Sequence, residues 1–339
     1  MKKVSTIGLD LAKRVFQVHG VDAAGAVVVR RSLRRSQMVS YFGRVAPCVI
    51  GMEACATAHH WGRVLSELGH TVRLIPPAYA KAYVRRNKND PADAEAICEA
   101  VSRPSMRFAP LKTAEEQAAG GLHRVREQLM KQRTMLINGL RGLMAEFGIV
   151  VLEGPQHVGE LVAVLADASD RRVPAPLHAG LVTMAAALAD LERHLEAIDR
   201  QILVWGRRNQ TYGHLITIPG FGPILSSAMA AMVVKPAIFA SGRDFAASLG
   251  LAPRQESTGG KTRLGPISKR GNGYLRRLLV NGAMSVLSSK RAKRDPWLIR
   301  LLETKHRMVA AVALANKMAR IAWAVMMRQE DFRLQPAAA

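Results

Sequence analysis

The chain has 339 residues, 49% of them hydrophobic, and its 49 Lys and Arg against 26 Asp and Glu give a net charge of +23. That apolar content excludes a globally disordered chain, and the excess of cations indicates a polyanionic partner whose phosphates neutralise the charge. Because we find neither an apolar run of about 18 residues nor a signal peptide, we expect nucleic acid rather than a membrane as the partner.

The three cysteines point to the cellular compartment. Cys48, Cys55 and Cys98 do not pair evenly and lack the spacing of a zinc site. Free thiols of this kind are typical of a reducing compartment, so the sequence predicts a cytoplasmic protein.

Residues 1–112 have the pattern of an α/β layer with a mixed sheet. A strand hairpin comes first, and helices and strands then alternate. The predicted strands span 4–9, 14–22, 26–33, 47–53 and 71–77, and the predicted helices span 57–68, 77–86 and 91–103.

Residues 113–208 predict a coiled-coil arm. Apolar residues recur at alternating spacings of four and three, which is typical of a coiled-coil seam. The clearest run is Leu177, Leu181, Met184, Leu188, Leu191, Leu195, Ile198, Ile202 and Trp205. We expect an antiparallel arm that also dimerises the protein, with its turn-around within 148–176. The alternative is two helices packed inside one globular bundle.

Residues 209–339 read as short helices and glycine turns. The segment 215–233 is typical of a helix-hairpin-helix, whose turn amides can hold a backbone phosphate, or of an ordinary helix–turn–helix connection. The segment 254–277 combines cations with glycines that let the backbone approach a ligand. We expect it to bind nucleic acid through Arg254, Lys261, Arg263, Lys269, Arg270 and Arg276. A solvated flexible loop is the alternative.

Four carboxylates can converge at one edge of the predicted sheet. Asp10 ends the first strand, Glu53 ends the fourth, and Asp90 and Asp93 open a predicted helix. Asp90 and Asp93 can also be explained as a helix cap and a first-turn acid. Four adjacent carboxylates would repel one another without divalent cations between them, and oxygen ligands favour Mg²⁺ or Mn²⁺. Two such ions are the known arrangement for phosphodiester cleavage, so we predict a metal site here.

A basic segment immediately precedes the two aspartates of that helix. Arg85, Arg86 and Lys88 either hold the phosphates of the scissile strand or form a solvated face.

The order of these motifs resembles a known family. "IGLDLAK", "GMEAC" and "KNDPADA", a coiled coil, and then "IPGFGP" and "FAASLGLAPRQESTGGKTRLGPISKRGNGYLRRLL" are similar to the DEDD transposases of insertion sequences that use a bridge-type guide RNA. The stretch "RNKNDPADAEA" resembles the branch described as using a short seek-type RNA. The resemblance spans nearly the whole chain and implies an RNase-H/RuvC-like first domain.

The resemblance also implies a division of labour along the chain. Residues 1–112 would be the RuvC-like metal domain, 113–208 the oligomerisation arm, and 209–339 the helical domain that binds DNA and carries the serine. Asp10, Glu53, Asp90 and Asp93 match the acidic quartet, and Ser257 matches the nucleophile. Thr258 and Ser268 are the neighbouring alternatives to Ser257.

Partners follow from the same resemblance. It implies a bacterial, nucleoid-associated dimer or tetramer that joins insertion-sequence ends to target DNA under a non-coding guide RNA. The reaction would pass through a phosphoserine at a site composed from two protomers.

Three other functions are consistent with parts of the sequence. A metal-only resolvase would keep Ser257 as a structural residue, and an architectural nucleic-acid protein would need no catalytic residue. "IGLD" also opens actin-like ATPases, but the chain lacks a convincing nucleotide loop.

Overall fold

The computed structural model describes residues 3–80, 90–256, 263–290, 292 and 295–333, without the side chains of residues 78, 80 and 90. The chain forms two compact units, residues 1–117 and 118–339. The predicted division into three domains stays a prediction.

A five-stranded mixed sheet forms the centre of the first unit, which confirms the predicted α/β layer. The strands are β1 (Thr6–Asp10), β2 (Val15–Val21), β3 (Val27–Arg34), β4 (Val49–Glu53) and β5 (Thr71–Ile75). Their order is β3-β2-β1-β4-β5, with β1, β4 and β5 parallel and β2 antiparallel to both of its neighbours. This arrangement is consistent with the predicted RNase-H-like fold.

The helices of the first unit lie on the two faces of this sheet. They are α1 (Met38–Phe42), α2 (Ala58–Glu67), α3 (Pro77–Ala80) and α4 (Asp90–Val101). Alternating residues of β1 and β4, such as Leu9 and Met52, are buried in a core shared with Trp61 and Leu65 of α2. The residues between them face the opposite side. The sequence analysis missed α1, a single short turn of helix with only Met38 and Phe42 buried.

Two long helices begin the helical part of the chain. These are α5 (Ala114–Ala145) and α7 (Ala175–Arg207). Two salt bridges join α5 to α7, from Arg126 to Asp199 at 2.5 Å and from Arg133 to Glu192 at 2.9 Å. Because the later residue of α5 contacts the earlier residue of α7, the two helices pack antiparallel within one chain. Whether their seam is a coiled coil that dimerises the protein stays a prediction.

The turn-around expected within 148–176 contains a further helix, α6 (Val158–Ala166). Its apolar residues Val158, Leu161 and Leu165 recur at three- and four-residue spacing. They are buried in one cluster with Leu181 and Leu188 of α7. The segment is therefore a packed helix as well as a reversal of the chain.

The remaining residues form a helical core with a small β-ribbon. The helices are α8 (Gln210–Leu215), α9 (Pro223–Met232), α10 (Gly242–Ser248), α11 (Gly273–Ser288), α12 (Pro296–Thr304) and α13 (Arg307–Arg328). An antiparallel ribbon pairs β6 (Pro253–Gln255) with β7 (Leu264–Ile267). The expectation of short helices and turns alone was wrong, because α13 has 22 residues and the ribbon was not foreseen.

Helix α13 also corrects the expectation that the chain has no long apolar run. By length and composition it could cross a membrane, and 44% of its most apolar window is buried. Small buried residues such as Ala311, Ala315 and Ala319 pack into the core of the second unit, while Lys317 and Arg320 are exposed. Its apolar face is therefore used for packing within the fold.

A buried polar network lies within the second unit. His123 of α5 is 1% exposed, its Nδ1 lies 3.1 Å from the Tyr274 hydroxyl, and its Nε2 lies 3.1 Å from Ser227 Oγ. Burial first, and then the nearby positive charge of Arg126, lower the pKa of His123 to about 4, against a weaker opposing effect of Asp199. His123 is therefore neutral at physiological pH and ties α5 to α9 and α11.

This network predicts a pH-dependent stability. Between its ordinary pKa of 6.5 and the folded value of about 4, His123 takes up a proton more readily when unfolded. The free energy of unfolding is thus fully retained above pH 6.5 and falls as the pH drops toward 4, by about 3 kcal/mol at roughly 1.4 kcal/mol per pKa unit. Urea denaturation between pH 5 and 6.5 measures the slope before most carboxylates titrate.

Two variants separate this effect from general titration. His123→Gln should lower stability at neutral pH and flatten the pH dependence. The exposed His194 of α7 is the control, because His194→Gln should leave the slope unchanged. Equal slopes in wild type and His123→Gln would contradict the assignment.

Candidate active site

Asp10 and Glu53 stand at the carboxyl ends of two neighbouring parallel strands. Leu9 of β1 pairs with Met52 of β4, so continuing the register by one residue places Asp10 beside Glu53. Both residues are half-buried. The strand pairing therefore brings together the two carboxylates that the sequence analysis expected to be neighbours.

Two glycines identify the face on which these carboxylates lie. Gly8 and Gly51 are paired across β1 and β4, and both lie directly beneath α4. A Cβ at Gly8 would lie 2.1 Å from the Ala94 carbonyl oxygen, and one at Gly51 would lie 2.7 Å from Val101 Cβ. Because side chains alternate along a strand, Asp10 and Glu53, two residues further on, lie on the same face as α4.

Helix α4 runs in a direction that places its first turn near the end of the sheet where Asp10 and Glu53 lie. Cys98 Sγ contacts the Thr6 carbonyl oxygen at 3.8 Å, whereas Ala94, one turn earlier, lies over Gly8. The helix therefore runs opposite to β1, and the half-buried Asp93 is on the turn that points toward the Asp10 end. Asp90 is the first residue of α4, and its side chain lies outside the description.

Both strand-end carboxylates affect the pKa of the Cys55 thiol. Its pKa is raised by burial first, then by the negative charge of Glu53 and, more weakly, by that of Asp10. Both charges therefore act at one point just beyond the end of β4. All three cysteines are free, and burial raises the pKa of both Cys48 and Cys98 to about 11, so those two are unreactive thiols.

The donor chemistry at this sheet end fits a divalent cation. Carboxylate oxygens from Asp10, Glu53 and Asp93 are the ligands that Mg²⁺ and Mn²⁺ prefer. Among the described side chains, which exclude that of Asp90, no group of three or more His, Cys, Asp or Glu has the spacing of metal ligands. The described residues thus supply an adjacent pair, with Asp93 on the helix above it.

Sequence reasoning overlooked a buried polar residue on the same face of the sheet as this pair. His19 of β2 is directly opposite Gly8 and is buried, so it shares the α4 face. Burial lowers its pKa, and the charge of Glu95 on α4 opposes that shift. The alternation of β2 would have placed His19 on this face had the position of α4 been known.

The predicted nucleic-acid contacts of the second unit fall into two groups. Arg254 and Arg263 are exposed on or beside the β6–β7 ribbon, and Arg270 is exposed on the turn before α11. Arg276 is half-buried, and its Nη1 donates to the carbonyls of Leu249 and Arg270 at 2.9 Å each. Its main structural effect is to hold that turn in place.

Glycines fix the same turn against α10. Gly250 and Gly271 both have positive φ, at 72° and 74°. A Cβ at Gly250 would lie 2.2 Å from the Arg270 carbonyl oxygen, and one at Gly271 would lie 1.8 Å from that of Ser248. Lys269, also at positive φ, donates its N–H to Gly250. These two glycines therefore allow close packing of the protein's own backbone, and ligand contact by the segment 254–277 stays a prediction.

Several predicted site residues lie outside the described residues. They are Ser257, its neighbour Thr258, Lys261, Arg85, Arg86 and Lys88. The alternative Ser268 is described, and its N–H donates to the Ala252 carbonyl just after β7.

Comparison with known proteins relates the chain to transposases. A family model described as a transposase of the DEDD class matches residues 7–149, and a second, described as "Transposase IS116/IS110/IS902 family", matches residues 212–297. A probable family 20 transposase of Pseudomonas aeruginosa is 48% identical over 97% of this chain and 99% of its own length.

Two further relatives are transposases of named insertion sequences. The IS1328 transposase of Yersinia enterocolitica is 40% identical over 96% of this chain and 97% of its own length. The IS1111A transposase of Coxiella burnetii is 39% identical over 98% of this chain and 92% of its own length. Fold and matches together define a transposase, an enzyme class that acts on DNA. The chain belongs to the IS110/IS116/IS902 family of insertion-sequence transposases.

Proposed function

We propose that this transposase cleaves and exchanges DNA strands under the direction of a guide RNA, using divalent metal ions and Ser257 as nucleophile. The observation that carries the proposal is the side-by-side placement of Asp10 and Glu53 on the face covered by α4. Family membership supplies the DNA substrate, namely the insertion-sequence ends and a target.

Asp10, Glu53, Asp90 and Asp93 would hold Mg²⁺ or Mn²⁺ at this end of the sheet. The ions would stabilise negative charge that develops on the phosphate and its leaving oxygen. Because these carboxylates belong to strand ends and to a helix, the metal site would be largely formed before DNA binds. Less free energy would then be needed to assemble it during the reaction.

The serine step exchanges one phosphate ester for another. Ser257 Oγ forms a bond to phosphorus, the bond from phosphorus to a deoxyribose oxygen breaks, and the hydroxyl proton passes to a base or to solvent. The deoxyribose oxygen that leaves takes up a proton, so the freed strand end carries a hydroxyl. Attack by the hydroxyl of another strand then reverses the step and joins a new partner, so that no external energy source is needed.

Cations of the second unit would hold the phosphates around this reaction. Arg254, Arg263 and Arg270 are exposed and free to contact a backbone, while Arg276 maintains the turn that carries Arg270. We also propose that a dimer or tetramer, assembled through the α5–α7 arm, joins the acidic site of one protomer to the serine of another. Such an assembly would act on the nucleoid in the bacterial cytoplasm.

A second candidate function is a metal-only junction resolvase with a structural Ser257. The RNase-H-like sheet favours it, because paired carboxylates with two metals suffice for hydrolysis. The two candidates differ in the covalent adduct that only the first requires.

Nucleic acid that copurifies with the protein tests the guide. We expect expression from the complete insertion sequence to yield a discrete short RNA encoded by that element. Asp10→Asn should retain the same RNA, because binding it needs no chemistry. Random RNA fragments alone would contradict RNA guidance and leave the family assignment in place.

A further inference from the structure

An open groove of about 890 Å³ lies between α10 and α13 in the second unit, and its described lining residues include none of the cations that the sequence analysis selected. Three of its lining residues are basic, namely Arg243, Lys317 and Arg320. Two more are the tryptophans Trp297 and Trp323. The groove thus combines cations and aromatic rings, the two side-chain types that nucleic-acid grooves use most.

Close backbone packing makes the groove a fixed feature of the fold. A Cβ at Gly242, where α10 begins, would lie 3.1 Å from the Arg320 carbonyl oxygen and 3.2 Å from Arg320 Cα. Because the helices approach this closely, Arg243 of α10 and Arg320 of α13 both line one groove. Lys317 precedes Arg320 by three residues, which places the two side chains about 5–6 Å apart at Cβ on one face of α13.

Among the described residues, none of the three cations lies within ion-pair distance of a carboxylate, and all three cations are exposed. No Asp or Glu is among the described residues that line the groove. Three uncompensated positive charges around one concave surface raise the local potential and favour a polyanion.

The tryptophans restrain the walls of the groove. The Lys317 ammonium lies 4.3 Å from the centroid of the Trp297 ring, within the range of a cation–π contact. Trp323 donates its indole N–H to the Pro236 carbonyl at 3.0 Å. Lys317 is therefore partly ordered before any ligand arrives, which reduces the entropy that binding would cost.

The floor of the groove is connected to the strand that leads toward Ser257. Asn316 Nδ2 donates to the Leu251 carbonyl at 3.2 Å, two residues before β6 begins. A nucleic-acid strand bound in the groove would lie over α13, the helix whose Asn316 anchors the β6–β7 ribbon where β6 begins.

We propose that the α10–α13 groove binds the phosphodiester backbone of a nucleic-acid strand, with Arg243, Lys317 and Arg320 as its phosphate ligands. The inference rests on the chain being a transposase, which supplies the polyanion, but not on the metal or serine chemistry. DNA and RNA share the phosphate chemistry that the groove recognises, and the experiment below distinguishes them.

The salt dependence of binding counts phosphate contacts directly. The test compares wild type with Lys317→Gln/Arg320→Gln on a short labelled duplex DNA and on a labelled RNA hairpin. For duplex DNA, the slope of log K against log salt is negative, and its magnitude should decrease by about 1.8 in the variant, at about 0.9 per lost phosphate contact. A decrease confined to one probe identifies DNA or RNA as the occupant, and a decrease with both supports a shared backbone site.

Matched variants control for loss of general positive charge. Arg207 and Arg208 are adjacent exposed cations at the end of α7, outside the groove. Arg207→Gln/Arg208→Gln removes the same charge and should leave the slope close to wild type, and Arg320→Lys should retain it. An unchanged slope in the groove variant, or an equal decrease in both double variants, overturns the proposal. Asp10→Asn separates the two proposals, because it should abolish cleavage while leaving this slope unchanged.

Discussion

We expect Asp10→Asn to abolish DNA strand cleavage while nucleic-acid binding persists. The substitution keeps the shape of the side chain but removes the charge that lies beside Glu53 at the ends of β1 and β4. A metal ion stabilises the transition state by several kcal/mol. At about 1.4 kcal/mol per factor of ten, loss of its anionic ligand should reduce cleavage by roughly 10²–10³-fold or more. Single-turnover cleavage of labelled insertion-sequence ends measures the effect.

The chain offers a matched control in the same unit. Asp22, in the turn between β2 and β3, accepts N–H bonds from Ala24 and Ala26 at 3.0 and 2.9 Å. Asparagine can accept the same bonds, so Asp22→Asn should retain full cleavage. Equal activity of Asp10→Asn and wild type would show that the carboxylate at the end of β1 has no catalytic role.

Ser257→Ala should eliminate the covalent link between protein and DNA. The proposed reaction needs a hydroxyl oxygen that becomes esterified to phosphorus, and alanine has none. Labelled DNA that stays with the protein through denaturing electrophoresis measures the adduct. Metal-dependent hydrolysis by the acidic residues need not stop, so the adduct is a cleaner readout than cleavage.

Neighbouring hydroxyls provide the controls for this second result. Thr258→Ala and Ser268→Ala should both retain the adduct. Ser268 holds the end of the ribbon through its backbone N–H to Ala252, a bond that alanine keeps. An adduct that persists in Ser257→Ala and disappears in either control would reassign the nucleophile. An adduct absent from wild type would favour the metal-only resolvase.

The sheet and the neighbouring strand ends were predictable because local patterns determine them. The motifs "IGLD" and "VIGME" each place glycine two residues before a carboxylate, and alternation along the strand then places the glycine and the carboxylate on a common face. What the sequence could not show is why glycine is needed. Gly8 and Gly51 admit the backbone and side chains of α4, a contact between residues more than forty positions apart.

Features created by long-range contacts escaped sequence reasoning. The environment of His123 depends on Ser227 and Tyr274, which are about a hundred or more positions away. The basic segment around Arg276 also gave no sign that its guanidinium donates to the backbone carbonyls of Leu249 and Arg270. The α10–α13 groove could not be predicted either, because Arg243 and Arg320 line one groove only once the two helices pack together.

Divalent-metal binding tests the central claim most directly. Calorimetric titration of the protein with Mn²⁺ should detect binding in wild type and Asp22→Asn, and a large loss of affinity in both Asp10→Asn and Glu53→Gln. Equal Mn²⁺ binding by all four proteins would contradict a metal site at the ends of β1 and β4.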